Sequence, residues 1–152
     1  MLSFHYEDAV PSTKGAKERK ERKPTVHERI VRLKSRNNEL RALVGEAQGN
    51  IERLETARTT ISEEKPNVQD NRETLTRKAL GGDEWRGNRK EEHEGLREDI
   101  KSKFDEAESH IEQLLEDMKA KKAQLQSSIE TMQNTMMLNE LLIREEREKA
   151  RG

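Results

Sequence analysis

Apolar residues recur along the first half of the chain in alternating steps of three and four: Ile30, Leu33, Leu40, Val44, Ala47, Ile51, Leu54 and Ile61. That alternation is the a/d repeat of a coiled-coil seam, sustained over several heptads. Asn37 and Arg58 fall on the same stripe. A polar group there either fixes one register with one partner or sits at a wet edge of the seam. The sequence predicts a helix starting at Thr25, where Thr-Val-His-Glu supplies an N-cap and, three residues on, Glu28 as its capping-box partner. Pro66 cannot donate to the carbonyl four residues back and pushes Lys65 away from helical geometry, so a kink or short break is expected there. Val68, Leu75 and Leu80 carry the stripe on through a second piece over about residues 67–80, and Gly81 and Gly82 stop it.

A second amphipathic arm follows, capped by Asn88 with Glu91, or slightly earlier by Asp83. Its stripe runs Leu96, Ile100, Phe104, Ala107, Ile111 and Leu114, then Met118, Leu125, Ile129, Met132, Met136 and Ile143, at an average near 3.6 residues. Lys121 or Lys122 interrupts its middle. The chain therefore divides into a charged tail over residues 1–24, a first arm over 25–80, a Gly/Trp turn over 81–88 and a second arm over 89–152. Each arm is on the order of 80 to 90 Å at about 1.5 Å per residue. Matched arms joined by a short turn predict an all-α, elongated antiparallel helical hairpin. Folding about residue 84 sets Ile61 near Ala107, Leu54 near Leu114 and Leu33 near Thr135.

Composition supports this architecture. Charged residues make up 40% of the chain and aromatics 3%, and Ala, Glu, Lys, Leu and Arg together account for 79 of its 152 residues, which is a long-helix mixture too poor in large apolar side chains for a wide core. A net charge of −1 removes the self-repulsion that accompanies disorder in polar chains. Two helices bury only one seam, so a partner helix pair is expected. Met137, Leu138 and Leu141 lie outside the internal stripe in the most apolar part of the chain, and Leu115 does so more weakly; adaptable Met and Leu there suit a contact with another chain.

Candidate chemistry changes the picture little. His27 and His93 are each followed by Glu, yet Val31 and Arg97 occupy the positions that would complete a zinc-binding HExxH. His5 and His110 have no ligand cluster at metal spacing, there is no cysteine, and no P-loop, GxGxxG or GxSxG occurs. No enzyme activity, metal or cofactor is expected. The run KGAKERKERKP carries a net +4 without interleaved aromatics and reads as a solvated tail rather than a nucleic-acid site. Phe4 and Tyr6 stand near the tail's start. No apolar run reaches the roughly 18 residues of a membrane span, and no cleavable signal segment appears, so the expected location is the cytoplasm.

One residue resists this bland account. Trp85, the only tryptophan, sits in GGDEWRGN, where a plain helical turn needs only small polar residues. The ring either caps its own hairpin or enters a partner's groove, and Gly87 allows close approach of backbone. Trp85-Arg86-Gly87 between two amphipathic arms resembles the Trp-x-Gly proteins of type VII secretion, the WXG superfamily of small helical hairpins, and is closest to the firmicute branch encoded beside LXG polymorphic toxins. The likeness covers roughly residues 27–150. It implies a hairpin that pairs with another hairpin, typically the helical N-terminal domain of an LXG-type toxin, and helps present it for export; Trp85 and Gly87 are the residues that transfer. Many such substrates end in a Tyr-x-x-x-Asp/Glu export signal, whereas this chain ends LLIREEREKARG, and the Phe104 to Glu108 spacing lies mid-helix. The resemblance then has the partner supplying the signal, with this chain remaining in the cytoplasm or leaving with it. A self-associating adaptor coiled coil, as a homo-oligomer, is the competing reading.

Overall fold

The computed structural model describes residues 22–77 and 88–152, and all of the regular structure in them is helical. Two helices account for it: α1, Val26–Arg77, and α2, Asn88–Arg151. The capping box forms as the sequence requires. The Glu28 amide donates to Thr25 Oγ1 at 3.2 Å, and the Thr25 amide donates to Glu28 Oε2 at 3.2 Å, so two amides that the first turn would leave unpaired are satisfied. Basic Lys149 and Arg151 occupy the last turn of α2, where they oppose the negative end of the helix dipole.

α1 passes through Pro66 as one helix rather than breaking there. One backbone hydrogen bond is forfeited, but side chains on both sides tie the helix to α2: Lys65 Nζ reaches Glu112 at 3.3 Å, and Arg72 reaches Asp105 at 2.5 Å and Glu108 at 3.4 Å. Tertiary contacts override the local preference for an end.

The helices pack antiparallel. Cross-arm pairs run Arg29 with Glu146, Asn37 with Asn139, Glu55 with Lys122, Lys65 with Glu112 and Arg72 with Asp105, so α2 numbers fall as α1 numbers rise. These pairs are symmetric about a point near residue 88, whereas folding about residue 84 was expected. The level of Leu33 therefore moves from Thr135 to about Ile143, a slide of roughly 12 Å at 1.5 Å per residue. The expected register matched apolar stripes about the middle of the turn; the real one is fixed by specific polar pairs along the arms. Residues 88–98 of α2 extend past the level of Arg77, the last described residue of α1.

The seam is narrow. Leu40, Val44, Ala47 and Ile143 are its buried apolar residues among those described, and no side chain there is fully buried. Ile30, Leu33, Ile51, Leu54 and Ile61 of α1 are half-buried, as are Phe104, Ile111, Leu125, Ile129, Met132 and Met136 of α2. Among the described residues, no helix is long and apolar enough to cross a membrane.

Candidate partner-binding surface

The half-buried positions of α2 follow a strict heptad from Phe104 to Glu146, not the 3.6-residue average that the apolar residues alone suggest. Phe104, Glu108, Ile111, Leu115, Met118 and Lys122 face α1, and Leu125, Ile129, Met132, Met136, Asn139, Ile143 and Glu146 continue the row. Two packed helices keep contact only along a 3.5-residue repeat, so a row counted at 3.6 drifts off the seam. The drift corrects two expectations. Leu114, placed on the seam by sequence, is 47% exposed; Leu115, placed on an outer surface, is half-buried on the seam instead. Leu96, Ile100 and Ala107 are likewise exposed.

Strict phasing also brings polar residues onto the seam that sequence reading missed. Asn139 Nδ2 donates to Asn37 Oδ1 at 2.8 Å, while Asn37 Nδ2 donates to the Met136 carbonyl at 3.2 Å. Asn37 is only 3% exposed. Of the two readings open for Asn37, the structure selects the register device: a buried amide with matched partners is satisfied in one alignment and stranded in its neighbours. Arg58 is exposed. Counting heptads onward from Met132 and Met136 would have exposed Asn139 as the second half of the pair.

One flank of the hairpin is laced by charge. Lys122 meets Glu55 at 2.5 Å, and the Lys65 and Arg72 pairs described above lie along the same flank. Near the open end, a groove on this flank is lined by Lys34, Arg41, Arg144 and Arg147 beside Asn37, Asn38 and Glu140, an excess of positive charge. Arg29 Nη2 donates to Glu146 Oε2 at 2.8 Å from the other flank. That hydrogen bond, with the positive charges of Arg29 and Lys149 added, holds the Glu146 carboxyl below the usual glutamate range although burial pushes the other way.

The opposite flank and back of α2 carry exposed apolar residues toward its two ends. Met137 is 64% exposed, and Leu138, Leu141 and Leu142 are exposed with it, so one stretch shows apolar side chains on nearly every face around Met136 and Ile143. A helix apolar all round is normally buried on all sides. Toward the connected end, Leu96, Ile100, Phe104 and Ala107 line a shallow apolar shelf on α2. Trp85 and Gly87, the remaining expected contact residues, lie outside the described residues. Among the described residues no cluster of three His, Cys, Asp or Glu side chains is placed to hold a metal ion.

The sequence model of the YwqH-like family matches residues 28–144, which spans almost all of both helices. No curated protein and no solved structure matches the chain.

Proposed function

The chain belongs to the YwqH-like family, and from that premise we propose that it is a non-catalytic binding hairpin, a partner and targeting factor for an LXG-type toxin exported by a type VII secretion system. The observation that carries this reading is the exposed apolar segment Met137, Leu138 and Leu141 on a hairpin with no fully buried side chain among those described. Such a surface is unstable in water unless covered, and helical grooves are covered by helices. The helical N-terminal domain of the toxin supplies them, forming a bundle around the open end of α2, and Trp85 is the motif residue expected to take part in its capture. The hairpin is made in the cytoplasm and brings the toxin to the export machinery, with the partner carrying the export signal.

The test is capture of the tagged full chain from its own cells, in wild-type, Trp85→Ala and Leu138→Asp forms, with mass spectrometry of what co-purifies. A larger protein with a helical N-terminal domain should be recovered with wild type and lost or strongly reduced with both variants, while circular dichroism keeps its helical signal. Recovery of this chain alone, unaffected by either substitution, would replace the secretion reading with an adaptor coiled coil.

A further inference from the structure

The exposed leucines of α2 are not scattered. Leu96, Ile100 and Leu114 near the connected end, and Leu138 and Leu142 near the open end, lie on one stripe along the flank that α1 leaves uncovered. Heptad spacing puts Ile100, Ala107, Leu114 and Leu142 at equivalent positions and Leu96 and Leu138 one step further round. Between the two apolar ends the stripe is polar or small, and at its middle it carries Asp117 and Lys121, both exposed. Asp117 accepts a hydrogen bond from Gln113 at 2.8 Å, and Lys121 donates to Gln124 at 3.4 Å, so both side chains are held along the helix.

This pattern is complementary to its own reverse. We propose that α2 pairs antiparallel with α2 of a second copy of this chain, about a two-fold axis near residue 119. In that register Leu96 meets the second copy's Leu142, Ile100 meets its Leu138, and Asp117 meets its Lys121, each contact occurring twice as two-fold symmetry demands. Leu138 and Leu142 of one copy seat on the shelf formed by Leu96, Ile100, Phe104 and Ala107 of the other.

Alternative alignments are poorer. A parallel pairing sets Asp117 on Asp117 and Lys121 on Lys121. Sliding the antiparallel pair by one heptad moves Leu96 onto Thr135 or Lys149 and separates the central charges. The first arm permits the approach: the Glu55–Lys122 pair puts Ala57 close to the level of the axis, and Ala57 is a small, half-buried residue on the same flank. Pairing across this flank leaves the ion pairs of Lys65, Arg72 and Lys122 on the opposite flank undisturbed.

The experiment is sedimentation equilibrium of the full chain in wild-type, Asp117→Lys, Lys121→Asp and doubly substituted forms. Wild type should dimerise. Each single reversal faces like charges twice and should weaken the dimer about tenfold or more, and the double reversal should restore it. Because the two residues are exposed, helicity should be the same in all four. Orientation is read by disulfides, since the chain has no cysteine: Leu96→Cys with Leu142→Cys should cross-link two chains, and Leu96→Cys alone should not. A monomer at all concentrations, indifference to the single reversals, failure of the double reversal to rescue, or cross-linking through Leu96→Cys alone would each overturn the proposal. These variants leave Trp85, Met137, Leu138 and Leu141 unchanged, so toxin capture by wild type and Trp85→Ala is read separately, whereas Leu138→Asp should weaken both contacts.

Discussion

The two ends of the hairpin are built differently. Every buried residue among those described lies toward the open end: Leu40, Val44, Ala47 and Ile143, with the Asn37–Asn139 pair between them. Toward the connected end nothing described is buried; Lys65 and Arg72 hold the arms by charge, and Leu75, Leu96 and Ile100 remain exposed. Chain connectivity explains the division. Near the connection the arms are kept close by the chain itself, whereas the open end closes the longest loop and must hold itself by packing. Self-contact is concentrated where it is needed, and the apolar surface left over is free for other chains.

The comparison breaks most visibly at Leu40. It is 4% exposed, and Leu40→Ala is expected to cost about 2–5 kcal/mol by removing buried methyls and leaving a cavity. In solution dilute enough to keep the chain monomeric, Leu96→Ala at the connected end, where the side chain is 61% exposed, should stay within about 0.5 kcal/mol. Urea denaturation followed by circular dichroism measures both. Equal losses in that dilute solution would mean that both ends of the single hairpin are packed alike.

A sharper version concerns specificity rather than packing. Asn37→Leu alone strands the Asn139 amide in the seam and should cost about 1–3 kcal/mol. Leu at both positions should recover that loss or exceed wild type, because a well-packed apolar pair costs less than a buried polar one. Its penalty should appear instead as mixed register or mixed oligomeric states in size-exclusion chromatography and analytical ultracentrifugation. If the double variant remained as destabilised as the single one, the amides would be contributing more than register.

The same contrast governs what could be read from the sequence. The hairpin, the Thr25 capping box and the α1 seam were legible, because from Ile30 to Leu54 α1 keeps an apolar residue at every heptad position except Asn37. α2 was harder. Glu108, Lys122, Asn139 and Glu146 occupy seam positions as polar residues, so apolar spacing alone points to a 3.6-residue row and picks Leu114 over its neighbour Leu115. Adjacent leucines are indistinguishable by periodicity; the polar seam positions on either side decide between them. The register was missed for a related reason: the Asn37–Asn139 pair and the Arg29–Glu146 pair fix it, and both partners on α2 look like surface residues in the sequence. The outer leucines at Met137 to Leu142 were visible as a surplus, since a single seam cannot use residues on every face.

The smallest expected effect lies at the open end itself, in the Arg29–Glu146 pair. The Glu146 side chain is 16% exposed and accepts from Arg29, and its carboxyl titrates below the usual glutamate range. A carboxylate depressed in the folded state stabilises the fold above the pH at which it titrates in the unfolded chain. That contribution fades as pH falls through the depressed folded value. Glu146→Gln should therefore lower the melting temperature slightly at neutral pH and converge with wild type in acid, where both side chains are neutral. Leu75, Leu96 and the rest of the connected end do not share this pair, so the pH-dependent difference should appear as faster amide exchange near Arg29 and Glu146 alone. A difference of the same size at all pH values would assign the loss to packing around the side chain rather than to its charge.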